Sequence, residues 1–187
     1  ETALALTPHF HYDQIPAFVN SFPSQFANVS KYPYIFSITP TQLYLAKKAT
    51  NYISDKSGIK VRKPKIIFVG SSDHLGSHFL EEAKEHARAS NIDIGPDVWI
   101  SDLSQTGGKA EKYISSLLAT INSYSPDFAY LTLTSKEASS LLQEVKKMDH
   151  KTKWICAMRT FDENLTPFNG VLGVQPISPF GEGIPGM

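Results

Sequence analysis

The feature that most constrains this chain is a recurrence of short, unbroken apolar runs separated by stretches of helical period. The runs fall at 16–20 (PAFVN), 65–70 (KIIFVG), 97–103 (DVWISDL), 127–133 (DFAYLTL), 153–158 (KWICAM) and 170–177 (GVLGVQPI). They are rich in β-branched and aromatic residues and do not alternate cleanly with polar ones. Continuous apolar runs mark strands covered on both faces, as in a parallel sheet. Between them, Thr41–Ser57, His74–Ser90, Lys109–Tyr124 and Ser135–Met148 each carry a single apolar stripe at helical spacing. Strand alternating with helix predicts an α/β fold: a doubly wound parallel sheet flanked by helices, in three α/β/α layers. That lobe spans about Thr41 to Val174, with Pro64 and Pro126 as breakers ahead of two of its strands. Residues 1–39 predict a helix, a strand at Ala17–Val19 and an extended piece at Tyr34–Ile38, not obviously part of the same sheet.

Composition narrows the function classes. Apolar residues at 41% and charged residues at 19% suit a globular core and not a disordered chain. A net charge of zero removes the electrostatic footprint of a nucleic-acid or anionic-membrane binder. No apolar run reaches transmembrane length. No secretory leader opens the chain, so such a signal is expected to be absent or already removed. The single cysteine, Cys156, cannot form an internal disulfide, and within Trp154–Ala157 it reads as a buried, inert thiol. Glu1 begins inside a helical pattern and the end, SPFGEGIPGM, is Gly/Pro punctuation, so the chain is expected to be part of a larger protein.

In open α/β sheets, ligands sit in the crevice beyond the carboxyl ends of the strands. The loops to search are therefore 70–76 (GSSDHLG), 101–108 (SDLSQTGG), 134–137 (TSKE) and 157–164 (AMRTFDEN). A phosphate loop would need Gly-x4-Gly-Lys-Ser/Thr, but here Gly76 is followed by Ser77 and His78. The dinucleotide fingerprint is also missing, and TGGK at 106–109 reads as a Gly-rich loop before a helix. His74 and His78 share the spacing of two ligands on one helix face, and His9 and His11 form another close pair. A zinc site needs three or four ligands, so no metal site is expected. No Gly-x-Ser-x-Gly elbow appears, and Ser71 and Ser72 lack an evident base and orienting acid. Asp73 is expected to cap the helix beside it. What remains is a cleft of hydroxyls and amides that binds polar solutes without catalysis, with Ser71, Ser72, Thr132, Thr134, Ser135 and Arg159 at the strand exits.

The ordered set of segments resembles one family, the periplasmic solute-binding proteins of the branched-chain amino acid (Leu/Ile/Val) type, which serve ABC importers. The likeness rests on IPAFVNSFPSQFANVSKYPYIFSITPTQLYLAKKATNYI, on KIIFVGSSDHLGSHFLEEAKEHA, on SPDFAYLTLTSKEASSLLQEVKKM and on NGVLGVQPISPFGEGIPG. It covers nearly the whole chain. It implies that residues 1–39 are the remnant of one lobe with a crossing strand, 40–175 a complete ligand-binding lobe, and 176–187 the return segment.

The resemblance also implies a site. The loop that binds the ligand's polar head falls at Asn20 to Ser24, which adds Ser21 and Ser24 to Ser71, Ser72, Thr132, Thr134 and Arg159. Leu75 stands where the family has an aromatic, and Ser37 where it has an arginine. Arg159 stands near the family's acidic partner of an amino group. A guanidinium there answers a carboxylate or phosphate and points to an organic anion; otherwise Arg159 is a surface arginine. The implied protein is not an enzyme and needs no cofactor. It takes an amino acid or carboxylate outside the cytoplasm, periplasmic or extracellular and lipid-anchored or secreted, and hands it to an ABC permease. A membrane sensor domain and an intracellular α/β enzyme are the alternatives. A lobe cut from its partner is expected to self-associate.

Overall fold

The computed structural model describes residues 2–19, 26, 28–37, 39–56, 58–59, 61–100, 109–147 and 151–174. The chain is α/β, with a mostly parallel sheet between two helical layers. Helix α1 (Thr2–Tyr12) leads to strands β1 (Ala17–Val19) and β2 (Ile35–Ser37). These two pair in parallel as a separate two-stranded sheet, with Phe18 opposite Phe36. One face packs Val19 and Ile35 against Phe26, Phe10 and Tyr32. The other carries the Phe18 and Phe36 rings, 5.5 Å apart and exposed.

The main lobe begins with α2 (Gln42–Lys56), followed by β3 (Lys65–Ser71), α3 (His74–Ala89), β4 (Asp93–Ile94) and β5 (Val98–Ile100). It continues through α4 (Lys109–Tyr124), β6 (Phe128–Thr132), α5 (Ser135–Val145), β7 (Lys153–Cys156), a 3-10 turn (Glu163–Leu165) and β8 (Leu172–Gly173). β3 and β6 pair over five residues, β6 pairs β7, and β7 pairs β8. β4 and β5 both lie on the other side of β3, as two halves of one edge strand. The short β4 is not evident from the apolar runs. The edge breaks at Gly95-Pro96, where Pro has no N–H to give the ladder. Gly95 is required by a close approach as well, since a Cβ there would lie 2.5 Å from the Tyr124 ring.

Side-chain alternation along each strand divides the core. Ile66, Phe68, Phe128, Tyr130 and Ile155 face α2 and α3. Ile67, Val69, Ala129, Leu131, Trp154 and Cys156 face α4 and α5. A strand with both faces covered has no polar face to show, which is why these runs are continuously apolar. Each fully buried Leu, Ile or Phe is worth about 1.5–3 kcal/mol relative to exposure.

Cys156 lies in this core, and burial pushes its thiol up to about 12. The reactive species is the thiolate, so the folded chain resists alkylation. Iodoacetamide is expected to label Cys156 only as fast as the protein unfolds, with the rate rising steeply through the urea transition. Rapid labelling of the native protein would contradict the packing described here.

Candidate functional site at the strand exits

The spatial strand order, edge, β3, β6, β7, β8, makes β3 the first strand of the lobe in sequence but the second in space. The chain goes first to one side of β3 and then to the other. Its helices switch faces with it: α3 packs on one face of the sheet and α4 on the other. The crevice beyond the carboxyl ends of β3 and β6 is thus the topological switch point, where open α/β sheets bind ligands.

Asp73 is the hub of that crevice. It is the N-cap of α3, with extended backbone geometry, and its Oδ1 accepts from the Gly76 N–H at 2.6 Å. An N-cap side chain satisfies one of the helix's orphan donors. Ser71, the buried last residue of β3, donates its hydroxyl to Asp73 Oδ2 at 2.9 Å. From the loop after β7, Arg159 donates through both terminal nitrogens, Nη1 to Oδ1 at 2.8 Å and Nη2 to Oδ2 at 2.9 Å. The bidentate Arg159 guanidinium, with the Gly76 and Ser71 donors, outweighs burial and holds the Asp73 carboxyl well below the usual carboxylate range.

The neighbouring hydroxyls tie the same loops together. Thr132, fully buried at the end of β6, donates to the Gly76 carbonyl at 3.1 Å. Thr160 Oγ1 lies 2.6 Å from the Leu133 carbonyl and 3.1 Å from that of Leu131, so one proton serves the two. Thr134 caps α5 in a capping box: its hydroxyl and N–H donate to Glu137, whose own N–H donates to the Thr134 oxygen. Ser72 is exposed, and its N–H continues the β3–β5 ladder by donating to the Ile100 carbonyl at 3.1 Å.

Of the residues proposed from sequence, Ser71 and Arg159 therefore meet on Asp73, Thr132 joins them through Gly76, and Ser135 instead accepts from the Asn164 amide at 3.3 Å. Ser72 and Thr134 stand at the exits of β3 and β6, apart from that cluster. Ser21 and Ser24 lie outside the described residues, as do the loop 101–108 and the side chain of Leu75. The sequence reading missed Asp73 as the partner of Arg159, and missed Gly76 and Thr160. The SDHLG segment signals a cap, but nothing local ties it to a residue 86 positions on. Among the described residues, no three His, Cys, Asp or Glu side chains come together as a metal site would require.

Gly76 is needed for contact, not for backbone freedom. It sits in the first turn of α3, where alanine would ordinarily favour the helix by about 1 kcal/mol. Here an added Cβ would stand 2.7 Å from the Ser71 carbonyl oxygen and 2.9 Å from the Ser71 Cβ. Ser71 is held in the ladder opposite Ile100 and cannot easily give way. Gly76→Ala is expected to destabilise by about 1–3 kcal/mol, the usual cost of overpacking. A gain in urea midpoint would show that the two segments separate freely.

Among the described residues, clefts lie away from the switch point. One, of about 550 Å³, sits at the break in the edge strand beside Lys84, which is paired to Asp97 at 2.5 Å. Another lies near Asp127, beyond the opposite, N-terminal end of β6, where the Arg62–Asp127 pair closes at 2.7 Å. Both pairs tie separate segments of the lobe together.

Fold and geometry define a class: a doubly wound α/β lobe with buried, internally bonded hydroxyls and one arginine–carboxylate pair at its switch point. No protein-family model matches the chain, and a search of curated proteins finds no match.

Proposed function

We propose that this chain is the ligand-binding part of a solute-binding protein of the kind that serves ABC importers, capturing a small polar solute at the carboxyl ends of β3 and β6. The observation that carries this reading is the protonation chemistry of the rim. Ser71 donates to a carboxylate that Arg159 and the α3 N-terminus hold as an anion. A carboxylate so stabilised is a poor proton acceptor, so Ser71–Asp73 is not an activated nucleophile. Arg159 is well suited to recognition, because Asp73 orients it before a ligand arrives and it loses little freedom when one binds. The resemblance of segment order and the parallel order of the sheet support the same conclusion. Closure of the full protein around the solute would present the membrane permease with a surface the open form lacks. Among the described residues, no helix is long and apolar enough to cross a membrane.

A thermal-shift screen against amino acids, dicarboxylates, aromatic acids and short amides tests the reading. Ligand at a hundred times its Kd stabilises by about 2.7 kcal/mol. For a chain of this length that is a rise of roughly 5–10 °C in Tm. A shift with at least one compound, returned unchanged after incubation, is the expected result. Chemical turnover of that compound, or no shift with any of them, would sink the proposal.

A further inference from the structure

The geometry points to a carboxylate-bearing solute, bound side-on by the free edge of Arg159; this rests on the solute-binding reading proposed above. A guanidinium has five N–H donors and two edges that each match a carboxylate. Asp73 occupies the end-on edge, through one hydrogen on each terminal nitrogen. The Nε–H and the outer hydrogen on each terminal nitrogen have no partner among the described residues. Yet the side chain is only 18% exposed. The three open donors are held in a fixed plane, and an incoming anion would answer them with charge-assisted hydrogen bonds.

Asp73 has a second role in this arrangement. It is anchored by Ser71 and the Gly76 N–H, so it pins the guanidinium plane without competing for the side edge. The N-termini of α3 and α5 lie at the same, carboxyl end of the sheet and add positive potential there. A lysine could not replace Arg159 here. An ammonium already paired with Asp73 has no second planar edge to offer.

The test follows the Nε–Hε resonances of the three arginines, Arg62, Arg88 and Arg159, in nitrogen–proton correlation spectra. Arg62→Lys and Arg88→Lys assign the peaks by elimination. Propionate, succinate and benzoate are titrated against propionamide, succinamide and benzamide, with leucine as the zwitterion. The Arg159 peak is expected to move saturably with at least one acid, while its amide moves it at least about tenfold less at equal concentration. Arg159→Gln is expected to weaken that acid by a similar factor. Amides binding as well as their acids, or leucine binding with the Arg159 peak unmoved, would overturn the role of Arg159 and leave solute capture standing. No binding by any member would overturn both. The acid–amide comparison is made on the unaltered protein and does not depend on how the variant folds.

Discussion

Phe68→Ala is expected to cost the lobe about 3–5 kcal/mol, the range for truncating a fully buried phenylalanine. Phe68 is the middle residue of β3, has no exposed surface, and is among the largest wholly buried side chains. It packs edge-on against Tyr130 of β6 at 5.9 Å and joins Ala46, Ala49 and Ile53 of α2 to Phe79, Leu80 and Ala83 of α3. The strand is paired on both sides within the sheet and helices cover both its faces, so the cavity cannot readily collapse. Domains of this kind have only about 5–15 kcal/mol of stability to lose. Urea denaturation should therefore show a midpoint shift large enough to populate unfolded chain in native buffer. Phe18→Ala is the control, since Phe18 is 75% exposed in the small sheet and should cost well under 1 kcal/mol. Equal effects at the two positions would mean that the core is not where it is placed here.

The second large effect is expected at Asp73, and two variants separate its two jobs. Asparagine caps a helix about as well as aspartate, so Asp73→Asn keeps the α3 cap and removes the charge partner of Arg159. Alanine removes both. The missing cap costs about 1 kcal/mol, and leaving a sheltered guanidinium unpaired costs about 1–3 kcal/mol more. Because Asp73 is itself half exposed, solvent screening keeps the pair toward the low end of that range. The expected order of stability is wild type, then Asp73→Asn, then Asp73→Ala.

The pH dependence carries the same information. The folded-state pKa of Asp73 is depressed. Its contribution is therefore fully present above the unfolded value near 3.9 and is lost as pH falls through the folded value. Melting temperatures measured from pH 5 down to pH 2 should fall more steeply for wild type than for Asp73→Asn. Parallel curves would show that the pair contributes nothing in solution.

Most of the main lobe was legible in the chain because its signals are local. The run KIIFVG is a strand on either side of which a helix must lie, and it becomes β3 with six of its seven residues buried. The stripes at 74–90 and 109–124 become α3 and α4 within a residue at each end. The edge at 93–100 was read only in part, because two residues of pairing leave no periodicity to detect and Gly95-Pro96 hides the continuation. The run at 170–177 is paired over only Leu172–Gly173 among the described residues. The two-stranded sheet of residues 17–37 follows the same logic: its strands were visible, but nothing local said that they would pair only with each other.

The site divides along the same line. Asp73 as a helix cap follows from an acidic residue placed before an amphipathic run, which is a matter of three or four residues. That Ser71, Thr132 and Arg159 converge on one carboxylate and one carbonyl does not follow from any such window. Their proximity is produced by strand order: β3 pairs with β6 and β6 with β7, which brings the three exits side by side. Sequence alone determined which segments are strands and helices and which faces are apolar, because backbone periodicity and burial act over a few residues. Only the tertiary structure decided that Arg159 spends one edge of its guanidinium on Asp73 and keeps the other, because a bidentate pair is set by distances that sheet register, not spacing along the chain, imposes.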